Sequence, residues 1–131
     1  MFTIEQIQKS RSKVKSGADF PLFINDLKGL GILYYETFVA DGHTCYYGAE
    51  DDVVLSGPTH VPRQIADFSD RASFQKALLE HQQGKTDYAT FLRMCATLGI
   101  NMWSVSIVKM RCIYYDKVGT IVLTENIAPA S

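Results

Sequence analysis

Little in this 131-residue sequence is in excess, and each shortage excludes something. Cysteine is scarce: Cys45, Cys95 and Cys112 are odd in number and show no paired spacing. Small secreted domains carry even disulfide frameworks, so a cytoplasmic location is expected. Charge imbalance is missing too. Thirteen basic against fourteen acidic side chains leave a net charge of −1, whereas dedicated nucleic-acid binders carry a basic excess. No long apolar run exists. The longest uncharged stretch, Met94 to Val108, is interrupted by Gly99, Asn101, Ser104 and Ser106 and falls short of the ~20 residues of a membrane helix. Residues Met1 to Gln6 hold no basic region leading into an apolar one, as a signal peptide would. No membrane partner is expected.

What is present is material for a core. Hydrophobic residues make up 47% of the chain and aromatic residues 11%, with a mean hydropathy of −0.03. A chain of this size buries roughly two-thirds of its unfolded surface. One domain, residues 1–131, is the expected organisation.

Thr3 and Gln6 have the spacing of a capping box, and Ile4, Ile7 and Val14 then follow a helical stripe that Gly17 would close. Asp19 is placed to cap a second helix through Phe20, Phe23, Ile24, Leu27 and Leu30, with Gly31 as its stop. From Ile32 the period drops to two. Asp41-Gly42 is a hairpin signal, His43–Tyr47 is the return strand, and Val53–Leu55 follows the acidic turn Glu50-Asp51-Asp52. Two prolines and a glycine mark Ser56–Pro62 as irregular. Asp70 and Asp87 then cap two more helices, closed near Gly84 and Gly99, before strands resume to Leu123 and a frayed tail runs from Asn126 to Ser131.

The two halves read as an internal duplication, with pseudo-repeats at about 1–56 and 68–124. An offset of 68 residues aligns Asp19–Leu55 with Asp87–Leu123 without a gap, and nine of the 37 positions are identical. Chance at ordinary residue frequencies gives about two or three. The identities include Asp19/Asp87, Phe23/Phe91, Gly31/Gly99 and Tyr46/Tyr114, which fall on caps, stops and core positions. The unit is helix–helix–strand–strand–strand. Twice over, it gives an α+β fold with an antiparallel sheet and helices packed on one side. Asp41-Gly42 maps onto Lys109-Met110, so a tight turn is expected near Val108–Met110 despite poor turn formers there.

Several long phrases carry a resemblance: Phe23–Gly31 with Tyr35–Gly42, His81–Tyr88, and Cys112–Asp116. Together they resemble the YdfO/YbcV-like family of small bacterial and prophage-borne proteins of unknown function, sometimes labelled phage envelope protein. The resemblance covers nearly the whole chain. It implies one α+β domain and supplies no catalytic residue, cofactor or substrate. Ser106 departs from it, where the resemblance leads one to expect an acidic residue before the turn.

No cofactor or metal is expected. Gly-x-Gly-x-x-Gly and Walker loops are missing, and His43, His60 and His81 lie in separate elements without ligand spacing. His43 and Cys45 share one strand face, but neighbours on one strand stand parallel and too far apart for a nucleophile and its base. Cys95 matches Leu27 of the first repeat and is expected in the core. Lys9, Arg11, Lys13 and Lys15 spread around the first helix as a solvated surface, so no specific nucleic acid is expected.

The candidate site comes from strand parity. Trp103, Val105 and Ile107 alternate with Ser104 and Ser106, which points odd-numbered residues inward. The even offset carries that parity to the first repeat, with Leu33, Tyr35, Thr37 and Val39 inward and Tyr34, Glu36 and Phe38 on the outer face. Two rings flanking a carboxylate point to a binding surface for a protein partner or a second copy, the other expectation being that a helix or the Ser56–Asp67 loop covers them. The alternative is a small-molecule binding protein or enzyme using a cleft between the two repeats. No catalytic motif supports the enzyme.

Overall fold

The computed structural model describes residues 2–15 and 19–128. Its elements are α1 (Ile4–Arg11), α2 (Phe20–Gly29), β1 (Ile32–Phe38), β2 (Thr44–Gly48), β3 (Val53–Ser56), α3 (Arg71–Gln82), α4 (Tyr88–Thr97), β4 (Met102–Ser106), β5 (Arg111–Tyr115) and β6 (Ile121–Asn126). All strand pairs are antiparallel, in one sheet ordered β3-β2-β1-β4-β5-β6, with the helices on one side. This is the expected α+β class.

Local chemistry places most boundaries. At α1 the Gln6 amide donates to Thr3 Oγ1 (3.2 Å) and the Thr3 amide to Gln6 Oε1 (2.8 Å), completing the capping box. Asp70 and Asp87 cap α3 and α4 by accepting from the amides of Ser73 (3.1 Å) and Thr90 (2.7 Å). Asp19 departs from this pattern. Its carboxylate accepts from the Lys15 amide (2.8 Å) and makes no cap bond to α2. The α1 helix stops at Arg11, short of Val14, and the expected stop at Gly17 lies outside the described residues. At the far end Asn126 closes β6 and the Ile127 amide donates to Met110 O (2.8 Å), so the expected tail begins later, and its residues 129–131 lie outside the described residues.

The seam of the sheet is the β1–β4 pairing, in which Tyr34 faces Ser106, Tyr35 Val105, Glu36 Ser104, Thr37 Trp103, and Phe38 Met102. Glu36 thus sits opposite its own counterpart at the 68-residue offset, and the flanking pairs exchange under that offset. Bonds just beyond the strands do the same: the Val39 amide donates to Asn101 O and the Ile107 amide to Leu33 O, both at 2.9 Å. Left-handed backbone recurs at Gly31 and Gly99, at Gly42 and Met110, and at Asp51 and Gly119. Residues 107–110 form the expected turn, with Met110 at φ 52°. Ser106 Oγ accepts from the Lys109 amide there (3.1 Å), a bond that an acidic side chain at this position would also make.

Both halves contribute to one buried cluster. Phe23, Ile24, Leu27, Tyr35 and Tyr46 from the first meet Phe74, Phe91, Trp103 and Tyr114 from the second. Cys95 and Leu27 are both fully buried, as the alignment requires. Leu33 is the exception to the parity expected for β1, being 39% exposed. A bulge between Ile32 and Tyr34 in the β1–β2 pairing inserts one residue, so Ile32 and Tyr35 both face the core and Leu33 is turned outward.

The segment 57–70 holds no helix or strand, yet it is fastened along its length. The amides of Thr59 and Arg63 donate to Asp41 O and Ala40 O (2.8 Å each), that of Ala66 to Ala96 O (2.9 Å), and that of Asp70 to Leu98 O (3.0 Å). His60 Nε2 lies 3.0 Å from Ala40 O and 3.2 Å from Val39 O, and Ile65 is buried.

Candidate functional site

Among the described residues no helix packs on the other face of the sheet. Strand register arranges its side chains in three rows. The first runs Leu55, Cys45, Glu36, Ser104, Ile113, Thr124 from β3 to β6. The second runs Val53, Tyr47, Tyr34, Ser106, Arg111, Asn126, and the third Phe38, Met102, Tyr115, Ile121. Every one of these side chains is exposed or half-buried. Leu55 is 60% exposed, Ile121 55%, Val53 52% and Tyr34 40%.

Tyr34, Glu36 and Phe38 therefore share the outer face, as the alternation of β1 predicts. Tyr34 is stacked on Tyr47 across the β1–β2 pair, with ring centroids 4.4 Å apart. The Tyr47 hydroxyl donates to Glu36 Oε1 at 3.1 Å. Burial, reinforced by the Glu36 carboxylate, pushes the Tyr47 phenol up to about 12, so it stays a donor at any physiological pH. Phe38 is half-buried because the His43 ring stacks on it at 4.5 Å.

His43 is held by Asp41, with Nδ1 2.6 Å from Asp41 Oδ1, while the Asp41 carboxylate also accepts from the His43 amide (3.0 Å). The backbone bond is the main cause that lowers the Asp41 pKa. Cys45 is half-buried two residues along β2, and no hydrogen bond joins it to His43 among the described residues. An orienting acid is thus present, but the histidine and thiol are not engaged. Among the described residues no three His, Cys, Asp or Glu side chains gather as a metal site requires.

One polar cluster escaped the sequence reading. Arg11, expected on a solvated surface, is turned inward instead, its guanidinium 4.6 Å from the Tyr88 ring and 5.7 Å from the Phe23 ring. A signal existed. Ile4, Ile7 and Arg11 are spaced i, i+3, i+7, which places the arginine on the apolar stripe of α1. Burial disfavours its charge, but Tyr88, Tyr46 and Tyr35, which become anionic only at high pH, leave the Arg11 pKa raised on balance.

Among the described residues, a six-stranded antiparallel sheet with four helices on one face and a mixed apolar and polar face left open opposite defines a two-layer α+β protein. The chain belongs to a family described as a protein of unknown function, DUF1398, which matches residues 8–126. No curated protein matches it. No helix among the described residues is long and apolar enough to cross a membrane.

Proposed function

We propose that this protein works by binding, through the open face of its sheet, and that the occupant is a second copy of the same chain. The observation that carries the reading is the set of exposed apolar side chains on that face, Leu55 and Val53 on β3, Tyr34 on β1 and Ile121 on β6, which reaches from one edge strand to the other. Six strands at about 4.8 Å span roughly 29 Å and three rows of side chains roughly 20 Å, so the face extends over about 600 Å², at the low end of specific interfaces. Its charges favour a copy of itself. Glu36 on β1 and Arg111 on β5 have opposite sign, so a two-fold axis can set each against the other.

Sedimentation velocity from about 1 to 200 μM tests this. A dimer is expected that Leu55→Lys with Ile121→Lys disperses while the melting temperature holds. Phe38→Ser should weaken the dimer and cost about 1 kcal/mol, less than an emptied core site. A monomer throughout that range overturns self-association and leaves the face to a different protein.

The recurring register and left-handed positions support descent of the two halves from one duplicated unit, acting as a single domain. The phrases shared with YdfO/YbcV-like proteins support placing the chain with those prophage-borne bacterial proteins, and its unpaired cysteines support a cytoplasmic setting. A second reading, a small-molecule site between the halves, rests on the Arg11 cluster.

A further inference from the structure

The helices associate in two pairs, α1 with α2 and α3 with α4. Arg11, the last residue of α1, bridges them, since its guanidinium lies over Phe23 of α2 and Tyr88 of α4. Tyr35 and Tyr46 of the sheet join this cluster. The Tyr35 ring centroid is 6.4 Å from that of Phe23 and 5.3 Å from that of Tyr46. Trp103 closes the other side, 6.5 Å from Tyr88.

Every polar group here can donate a hydrogen bond, and none is anionic. Among the described residues the ion pairs are Lys13–Asp26, His43–Asp41 and Lys117–Asp67, so Arg11 has no carboxylate. The Tyr88 hydroxyl is buried without a hydrogen-bond partner. Burial raises the phenol pKa values of Tyr35, Tyr46 and Tyr88, so all three keep their protons. A desolvated charge without a counter-charge and a buried hydroxyl without a partner are each costly. One anionic group would satisfy both. A guanidinium laid flat on a ring keeps its N–H edge free for a two-pronged contact with an oxyanion. Arg11 and Tyr88 are half-buried, so the cluster lies near the helix-side surface with the Tyr88 oxygen itself covered.

We propose that a small molecule bearing a carboxylate or phosphate group binds where the two helix pairs meet, anchored by Arg11 and the Tyr88 hydroxyl. This site lies on the helix side of the sheet and is independent of the open face.

The single tryptophan, Trp103, reports on the site. Its fluorescence is followed while inorganic phosphate or acetate replaces chloride at constant ionic strength. A saturable change with at least one probe is expected, weakened about tenfold or more by Arg11→Gln and several-fold by Tyr88→Phe. Response to phosphate alone assigns a phosphate ester, and response to acetate alone a carboxylate. If Arg11→Gln does not fold, Arg11→Lys replaces it, since lysine keeps the charge but loses the fork. No saturation with either probe, or saturation unchanged in Tyr88→Phe, overturns the proposal.

Discussion

The two halves share a skeleton and differ in what they hang on it. Gly31 and Gly99 both end a helix in left-handed backbone, and Phe23 and Phe91 both bury a ring between helix and sheet. Each ring meets a nitrogenous group, but not the same one. Phe23 lies beside the guanidinium of Arg11, and Phe91 is stacked 4.3 Å from His81. On the open face the first half carries Tyr34, Phe38 and Tyr47, and the second carries Met102, Ser104, Ser106 and Tyr115. Recurring residues fix the fold, and the features with chemical potential fall where the halves diverge.

Separating the halves is the most drastic way to break the comparison. Residues 1–66 and 67–131 expressed alone should each be unfolded or aggregated, because the β1–β4 seam and the common core are lost. Two dispersed NMR spectra would refute this. Next come the paired glycines. A Cβ at Gly31 meets nothing within 4 Å, whereas one at Gly99 would strike the Phe68 carbonyl. Gly31→Ala should cost about 1 kcal/mol, the left-handed strain alone. Gly99→Ala should cost about 3 kcal/mol or more in urea unfolding, because backbone must move as well. Equal losses would show that the 57–70 segment yields freely.

Asp51 offers a smaller test. It is exposed and left-handed where the second half has Gly119. Asp51→Gly should therefore stabilise by up to about 1 kcal/mol, despite the flexibility glycine adds to the unfolded chain. The weakest effect concerns pH. Burial against Phe91 lowers the His81 pKa below its ordinary 6.5. The unfolded chain then binds the proton more readily, so this contribution is present above about pH 6.5 and is lost as pH falls through the folded value. Melting curves between pH 7.5 and 5 should decline less steeply in His81→Gln. An identical decline would rule the imidazole out.

Most of the fold was legible because its signals are local. Asp70, Asp87, Thr3 and the glycine stops act within one turn of chain, and the 107–110 turn became visible through its aligned partner at Asp41-Gly42. What escaped depends on distant residues. The outward turn of Leu33 follows from a bulge that exists only in pairing with β2. The inward turn of Arg11 depends on rings supplied by α2 and α4, and Asp19 was drawn from its cap by the amide of Lys15. Tyr34, Glu36 and Phe38 were legible because alternation along β1 resumes cleanly once the bulge is past.

The fastened 57–70 segment has a consequence for how molecules of this protein meet. A seam that repeats itself under the 68-residue offset is equally well formed between halves of one chain or of two, which is the condition for exchange of halves between molecules. A connector bonded at Thr59, Arg63, Ala66 and Asp70 holds the second half beside the first at a high effective concentration. Thr59 and Arg63 are tied to the first half and Ala66 and Asp70 to the second, so exchange keeps all four bonds and has only the two residues between Arg63 and Ala66 as its pivot. The strap thus narrows the relative freedom of the two halves to that one short hinge.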